Sequence, residues 1–127
     1  MRFFALLMAL LLLWPLPWAQ AAPVQWQEVP ASAEGQQWWD RGSLRLNRNG
    51  DLTVLSRFSP ASAAGSKRPA GELYVMALDC QQQLYRDTQV NGLPKPRSQW
   101  QPAASEGLVA EVLRQACEAA ESEGLIG

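Results

Sequence analysis

The 127-residue chain carries 11 basic and 12 acidic residues, two cysteines and no histidine. A net charge of −1 is too mild to point to nucleic acid or an anionic membrane surface as a partner. The absent imidazole removes the commonest general base, the commonest zinc ligand and the usual catalytic triads.

The N-terminus combines one basic residue, Arg2, with an apolar run from Phe3 to Trp18 and the triplet Ala19-Gln20-Ala21. That is the pattern of a secretory signal peptide, with cleavage after Ala21 favoured because cleavage after Ala22 would leave Pro23 directly beyond the scissile bond. The competing reading is an uncleaved anchor. As a helix, however, the apolar run would reach about 24 Å against a hydrocarbon core of about 30 Å, and Pro15 and Pro17 interrupt it. The expected division is a signal peptide over residues 1–21 and a single domain over 22–127.

Within the domain, Val24 to Val29 and Gln36 to Asp40 read as short strands. Ser43 to Asn47 and Leu52 to Phe58 alternate on either side of Asn49-Gly50, a hairpin signal that predicts a type I′ turn. Leu44 and Leu46 should point inward, and Leu52, Val54 and Phe58 should share a face on which Ser56 is the polar exception. Ser59 to Gly71 has no period and reads as a loop. Glu72 to Cys80 is apolar on both faces, which suits a central strand covered on both sides. Gln81 to Val90 is expected to continue extended, and Asn91-Gly92 marks another turn. Pro94 and Pro96 delay the last strand to about Gln99-Trp100.

From Ser105 the period changes. Leu108, Val109, Val112, Leu113, Ala116, Cys117 and Ala120 form the broad stripe of an amphipathic helix. Ser105 is the expected N-cap with Glu106 in the first turn, and Glu121 to Gly127 are expected to fray. Two cysteines in an exported chain read first as a disulfide, ahead of two free thiols or a redox couple. A Cys80–Cys117 bridge would then tether the helix to the sheet, within the core. The fold class is therefore α+β: an antiparallel sheet of about five or six strands with one C-terminal helix packed on a face.

The order of several weak features resembles the surface-adhesin protein E-like domain family. These are Trp26, the aromatic pair with aspartate Trp38-Trp39-Asp40, Ser43-Leu44, the strand ending near Phe58, Asp79-Cys80, Gly92, Trp100, Pro102 to Ser105 and Cys117. The pair is commonly tyrosine in that family. The resemblance implies the same disulfide-tethered fold, export, and for some members adhesion to host or matrix proteins.

No nucleophile–base–orienter pattern is present, so no catalytic residue, metal site or cofactor is expected. Asp40, Asp51, Asp79 and Asp87 are not spaced to meet as a pair; Asp79 reads as a strand terminator. Neighbouring residues on a strand face opposite ways, so of Trp38 and Trp39 one should be buried and the other free to anchor a partner. With Lys67 and Arg68 on the long loop, this pair makes the candidate binding surface. The expectation is a non-enzymatic binding domain in the periplasm, at the cell surface or outside the cell. Its partner would be a protein or glycan. The alternative is an accessory protein with a structural role.

Overall fold

The computed structural model describes residues 22–61 and 71–127. The expected signal segment and the Lys67-Arg68 pair lie outside the described residues. The strands are β1 (Trp26–Glu28), β2 (Gly35–Asp40), β3 (Arg45–Leu46), β4 (Leu52–Pro60), β5 (Glu72–Asp79), β6 (Leu84–Val90), β7 (Leu93–Pro94) and β8 (Gln101–Pro102), followed by helix α1 (Leu108–Ser122). They form one antiparallel sheet in the order β1-β2-β4-β5-β6-β7, with β3 on β4 and β8 on β6. The fold class read from the sequence is the fold observed. The extra strands are interruptions of the two edges. β2 and β3 share one edge of β4, separated by a 3₁₀ turn at Arg41–Ser43, and β7 and β8 share one edge of β6, separated by the proline segment.

The 3₁₀ turn explains why Asp40 and Ser43 sit where they do. The buried Asp40 carboxylate accepts from Gln25 N at 2.7 Å and Gly42 N at 2.9 Å. Ser43 Oγ donates to Asp40 O and accepts from Leu55 N at 2.8 Å, satisfying a β4 amide.

Several local expectations are corrected. Only Gly50 of the Asn49-Gly50 pair has positive φ, at 83°. Gly50 N donates to Asn47 O, and Asn47 N to Asp51 O, so the loop is a three-residue turn ending in a left-handed glycine rather than type I′. Asn47 selects it, because its Oδ1 accepts from Asn49 N and Asp51 N, both at 2.9 Å. The type I′ geometry occurs instead between β6 and β7, where Asn91 and Gly92 have φ of 50° and 79°. Leu46, expected inward, is 43% exposed because β3 is a two-residue edge. Nor does the chain run straight on after Cys80. It reverses at residues 80–83, where Asp79 Oδ1 accepts from Gln81 N and Gln82 N and Gln83 takes φ of 57°.

The core lies between one sheet face and α1. Trp39, Leu52, Val54, Met76 and Leu78 meet Leu108, Val112, Leu113, Ala116 and Ala120. A fully buried leucine or valine contributes about 1.5–3 kcal/mol, so this stripe holds the helix down without a side-chain cap. That cap was expected from Ser105. The helix starts at Leu108, after Gly107 with φ of 114°, and leaves Ser105 and Glu106 outside it. Ser56, the polar exception, is buried on the same face. Its Oγ accepts from Gln37 Nε2 at 2.9 Å and donates to Trp38 O at 2.8 Å.

The C-terminal end of α1 is not frayed as expected. Gly124, at φ of 75°, lets Leu125 N donate to Ala120 O and Gly124 N to Glu121 O, which closes the last turn as a Schellman motif. Leu125 and Ile126 then fold back against the core.

Cys80 and Cys117 are bonded, with Cα atoms 5.9 Å apart. The bridge joins the end of β5 to the helix, as expected. It is half-buried at the core margin rather than enclosed within it, because β5 has already ended at Asp79 and Cys80 opens the turn.

Candidate functional site

The strand β2 splits its tryptophans between the two faces. Trp39 points under the helix, is 3% exposed, and donates from Nε1 to Gln115 Oε1 at 2.9 Å. That position takes it out of any contact surface. Trp38 lies on the opposite face, which no helix among the described residues covers, and is half-buried.

On that face the register sets Trp38 beside Arg57 of β4, and Arg57 beside Leu73 of β5. The Arg57 guanidinium lies 4.3 Å from the Trp38 ring centroid and 5.3 Å from that of Trp26 in β1. An arginine held between two indoles gains about 0.5–2 kcal/mol from the ring quadrupoles and loses rotamer freedom in advance of any binding event. Among the described residues it makes no ion pair. Farther across the same face, Arg45, Thr53, Ala77 and Arg86 stand in one row, and Arg86 lies 5.1 Å from the Trp100 ring centroid. The face thus presents indoles, aliphatic side chains and arginine forks, the residue types that dominate energetic hot spots at interfaces.

The sequence offered Trp38 and Trp39 as a pair without deciding which is exposed, and it did not offer Arg57 or Trp26 as partners. Alternation along β4 already places Leu55 and Arg57 away from Leu52, Val54 and Phe58. Which tryptophan meets Arg57 depends on the β2–β4 register, which is non-local.

On the other face, hollows lie beside the helix. A groove of about 690 Å³ runs along the disulfide between the Gly50 turn and the C-terminal half of α1, with Asp51, Asp79, Glu118 and Glu121 in its lining. Asp79 is committed to the turn after β5, and Asp51 to the Asn47 turn through a 3.4 Å contact from Asn47 Nδ2. Among the described residues no cluster of His, Cys, Asp or Glu could hold a metal ion. A smaller cleft of about 200 Å³ lies at the N-terminal end of α1, between Val109 and the aromatic residues Phe58, Tyr74 and Tyr85. It contains Asp87, whose carboxyl is pushed up by burial while Lys95 pulls the other way. Tyr74 donates to Glu72 Oε2, and burial together with that carboxylate raises its hydroxyl to about 12. Asp51 and Asp79 thus share one groove while each serves its own turn, and Asp40, at the 3₁₀ turn, and Asp87, in the smaller cleft, lie apart from them.

No helix among the described residues is long and apolar enough to cross a membrane. No curated protein and no solved structure matches the chain. The model of the surface adhesin-E family does, over residues 27–124, a span that takes in the sheet, the helix and both cysteines. The chain belongs to the surface adhesin-E family.

Proposed function

We propose that the protein is an exported, non-catalytic binding domain that contacts a protein or glycan partner at the cell envelope or surface. The contact is made through the sheet face opposite the helix. The observation that carries this reading is the Trp38–Arg57–Trp26 stack: a guanidinium fixed by two indoles, with no carboxylate partner among the described residues. Family membership and the disulfide support export, and with it a signal peptide over residues 1–21. Lys67 and Arg68 join the proposed surface on sequence grounds alone. A carboxylate or sulfate on the partner would satisfy the Arg57 fork, while a sugar ring or apolar side chain would cover the indoles.

The test is capture of the partner from native envelopes or matrix by the full chain, by Trp38→Ala and by Arg57→Lys. Truncating a central tryptophan at a hot spot typically costs 2 kcal/mol or more, about 30-fold in affinity. Arg57→Lys keeps the charge but loses the planar fork, and should also weaken capture. Full capture by both variants would remove this face from the function. Protease shaving of intact cells separates the two locations: digestion places the domain outside the cell, and protection supports the periplasmic accessory role.

A further inference from the structure

The cleft at the N-terminal end of α1 lies on the face away from the Trp38 surface, so it is independent of the reading above. We propose that it is a cation site that takes an alkylammonium group. That group is the head of a lysine side chain on a partner or a free primary amine.

Its shape and chemistry select that ligand class. At about 200 Å³ the cleft is smaller than the roughly 300–1,000 Å³ typical of drug-sized ligands, and matches a single side chain. Phe58, Tyr74 and Tyr85 supply aromatic walls, Val109 closes the helix side, and Glu34 and Asp87 bring two carboxylates, with no basic residue among the described residues of the lining. Aromatic walls with carboxylates attract organic cations through ring quadrupole and charge together. An anion would meet both carboxylates. A purely apolar ligand would strip water from Asp87 and return nothing.

The position of Asp87 is built into the sheet. Tyr85 and Val90 are five residues apart, yet pair with Leu78 and Tyr74, which lie on one face of β5. They can do so only because the register shifts between Val75 and Met76, leaving Thr88 extra on β6. Thr88 Oγ1 donates to Val75 O at 3.1 Å and fixes the bulge. Strict alternation from Val90 would have turned Asp87 to the other face. The bulge turns it into the cleft, a known use of such irregularities beside binding sites.

Among the described residues Asp87 accepts no side-chain hydrogen bond and makes no ion pair, although burial disfavours its charge. Lys95 acts on it only through its field. The positive end of α1, worth about half a charge, offsets part of one carboxylate and leaves the described lining negative. Glu72, outside the lining, accepts from the Tyr74 hydroxyl.

The test is a titration of the exported protein with n-butylammonium chloride at constant ionic strength, followed in ¹H–¹⁵N spectra, with butanol and butyrate as controls. Saturable shifts centred on Tyr74, Tyr85 and Val109 are expected for the amine alone, in the millimolar range. Asp87→Asn should weaken binding about tenfold, Tyr85→Leu should weaken it as well, and Glu118→Gln, outside the cleft, should not. Nα-acetyl-lysine methylamide distinguishes the sources. Tighter binding than butylammonium points to a lysine on a partner, and equal binding to a free amine. Shifts absent or non-saturable with the amine, equal shifts with butyrate or butanol, or amine binding unchanged in well-folded Asp87→Asn and Tyr85→Leu proteins would each overturn the proposal.

Discussion

Removing the Cys80–Cys117 bridge tests what holds the helix to the sheet. The bridge spans 37 residues of sequence, and closing a loop of that length lowers the entropy of the unfolded chain by an amount worth about 4 kcal/mol at 25 °C. A domain of this size has about 5–15 kcal/mol in total, so the double variant Cys80→Ala/Cys117→Ala should remain folded but marginal. The helix should survive, because Val112, Leu113, Ala116 and Ala120 stay buried and the Trp39–Gln115 hydrogen bond does not involve sulfur. Guanidinium unfolding followed by tryptophan fluorescence gives the difference, and far-UV circular dichroism reports the helix. The expected result is a loss of about 3–4 kcal/mol with native helix content before the transition. A loss under 1 kcal/mol would refute the tether as a stabilising element. Collapse of the helical signal in buffer would refute the claim that the apolar stripe holds α1 by itself.

Trp39→Phe keeps most of the buried ring and deletes the donor to Gln115, leaving its Oε1 unpartnered. A loss of about 1–3 kcal/mol is expected in the same unfolding assay, and Trp39→Phe/Gln115→Leu should recover part of it. Asp87 is held above its ordinary value by burial, so the folded protein binds that proton more tightly than the unfolded chain does. The stability this contributes is full below the ordinary aspartate value and lost as pH rises through the folded one. Asp87→Asn should therefore raise the melting temperature at pH 7, with the gain vanishing in acid; an unchanged melting temperature at both ends would contradict it. Tyr74, raised to about 12, contributes stability that is present below pH 10 and lost between 10 and 12. With Tyr85 shifted the same way, phenolate absorbance of the folded chain should appear well above the pH at which the urea-unfolded chain titrates.

The features legible in the sequence were those fixed by near neighbours. The stripe from Leu108 to Ala120 placed the helix, and Asn91-Gly92 placed a turn. Cys117 within that stripe and Cys80 at a strand end placed the bridge. Asp79 as a strand terminator was equally local, since its carboxylate accepts from Gln81 N and Gln82 N in the turn after it. What escaped depended on register. Trp38 alone does not say that Arg57 lies against it, because the β2–β4 pairing decides that. Nor does alternation along β6 bring Asp87 beside Tyr85, since the bulge at Thr88 breaks the period. Conformations of single residues misled in the same way. Asn47 chose the turn around Gly50, Gly107 delayed the helix past Ser105, and Gly124 closed an end that reads as frayed.

The central claim, that the sheet face opposite α1 meets the partner, is tested most directly by site-specific photocrosslinking on cells that export the full chain. A photoreactive residue at position 55, beside the Trp38–Arg57 pair, is compared with one at Glu118 on the exposed side of α1. The account predicts a discrete adduct from position 55, lost on adding Trp38→Ala, and none from position 118. An adduct from position 118 with none from position 55 would place the contact on the helix side and contradict it.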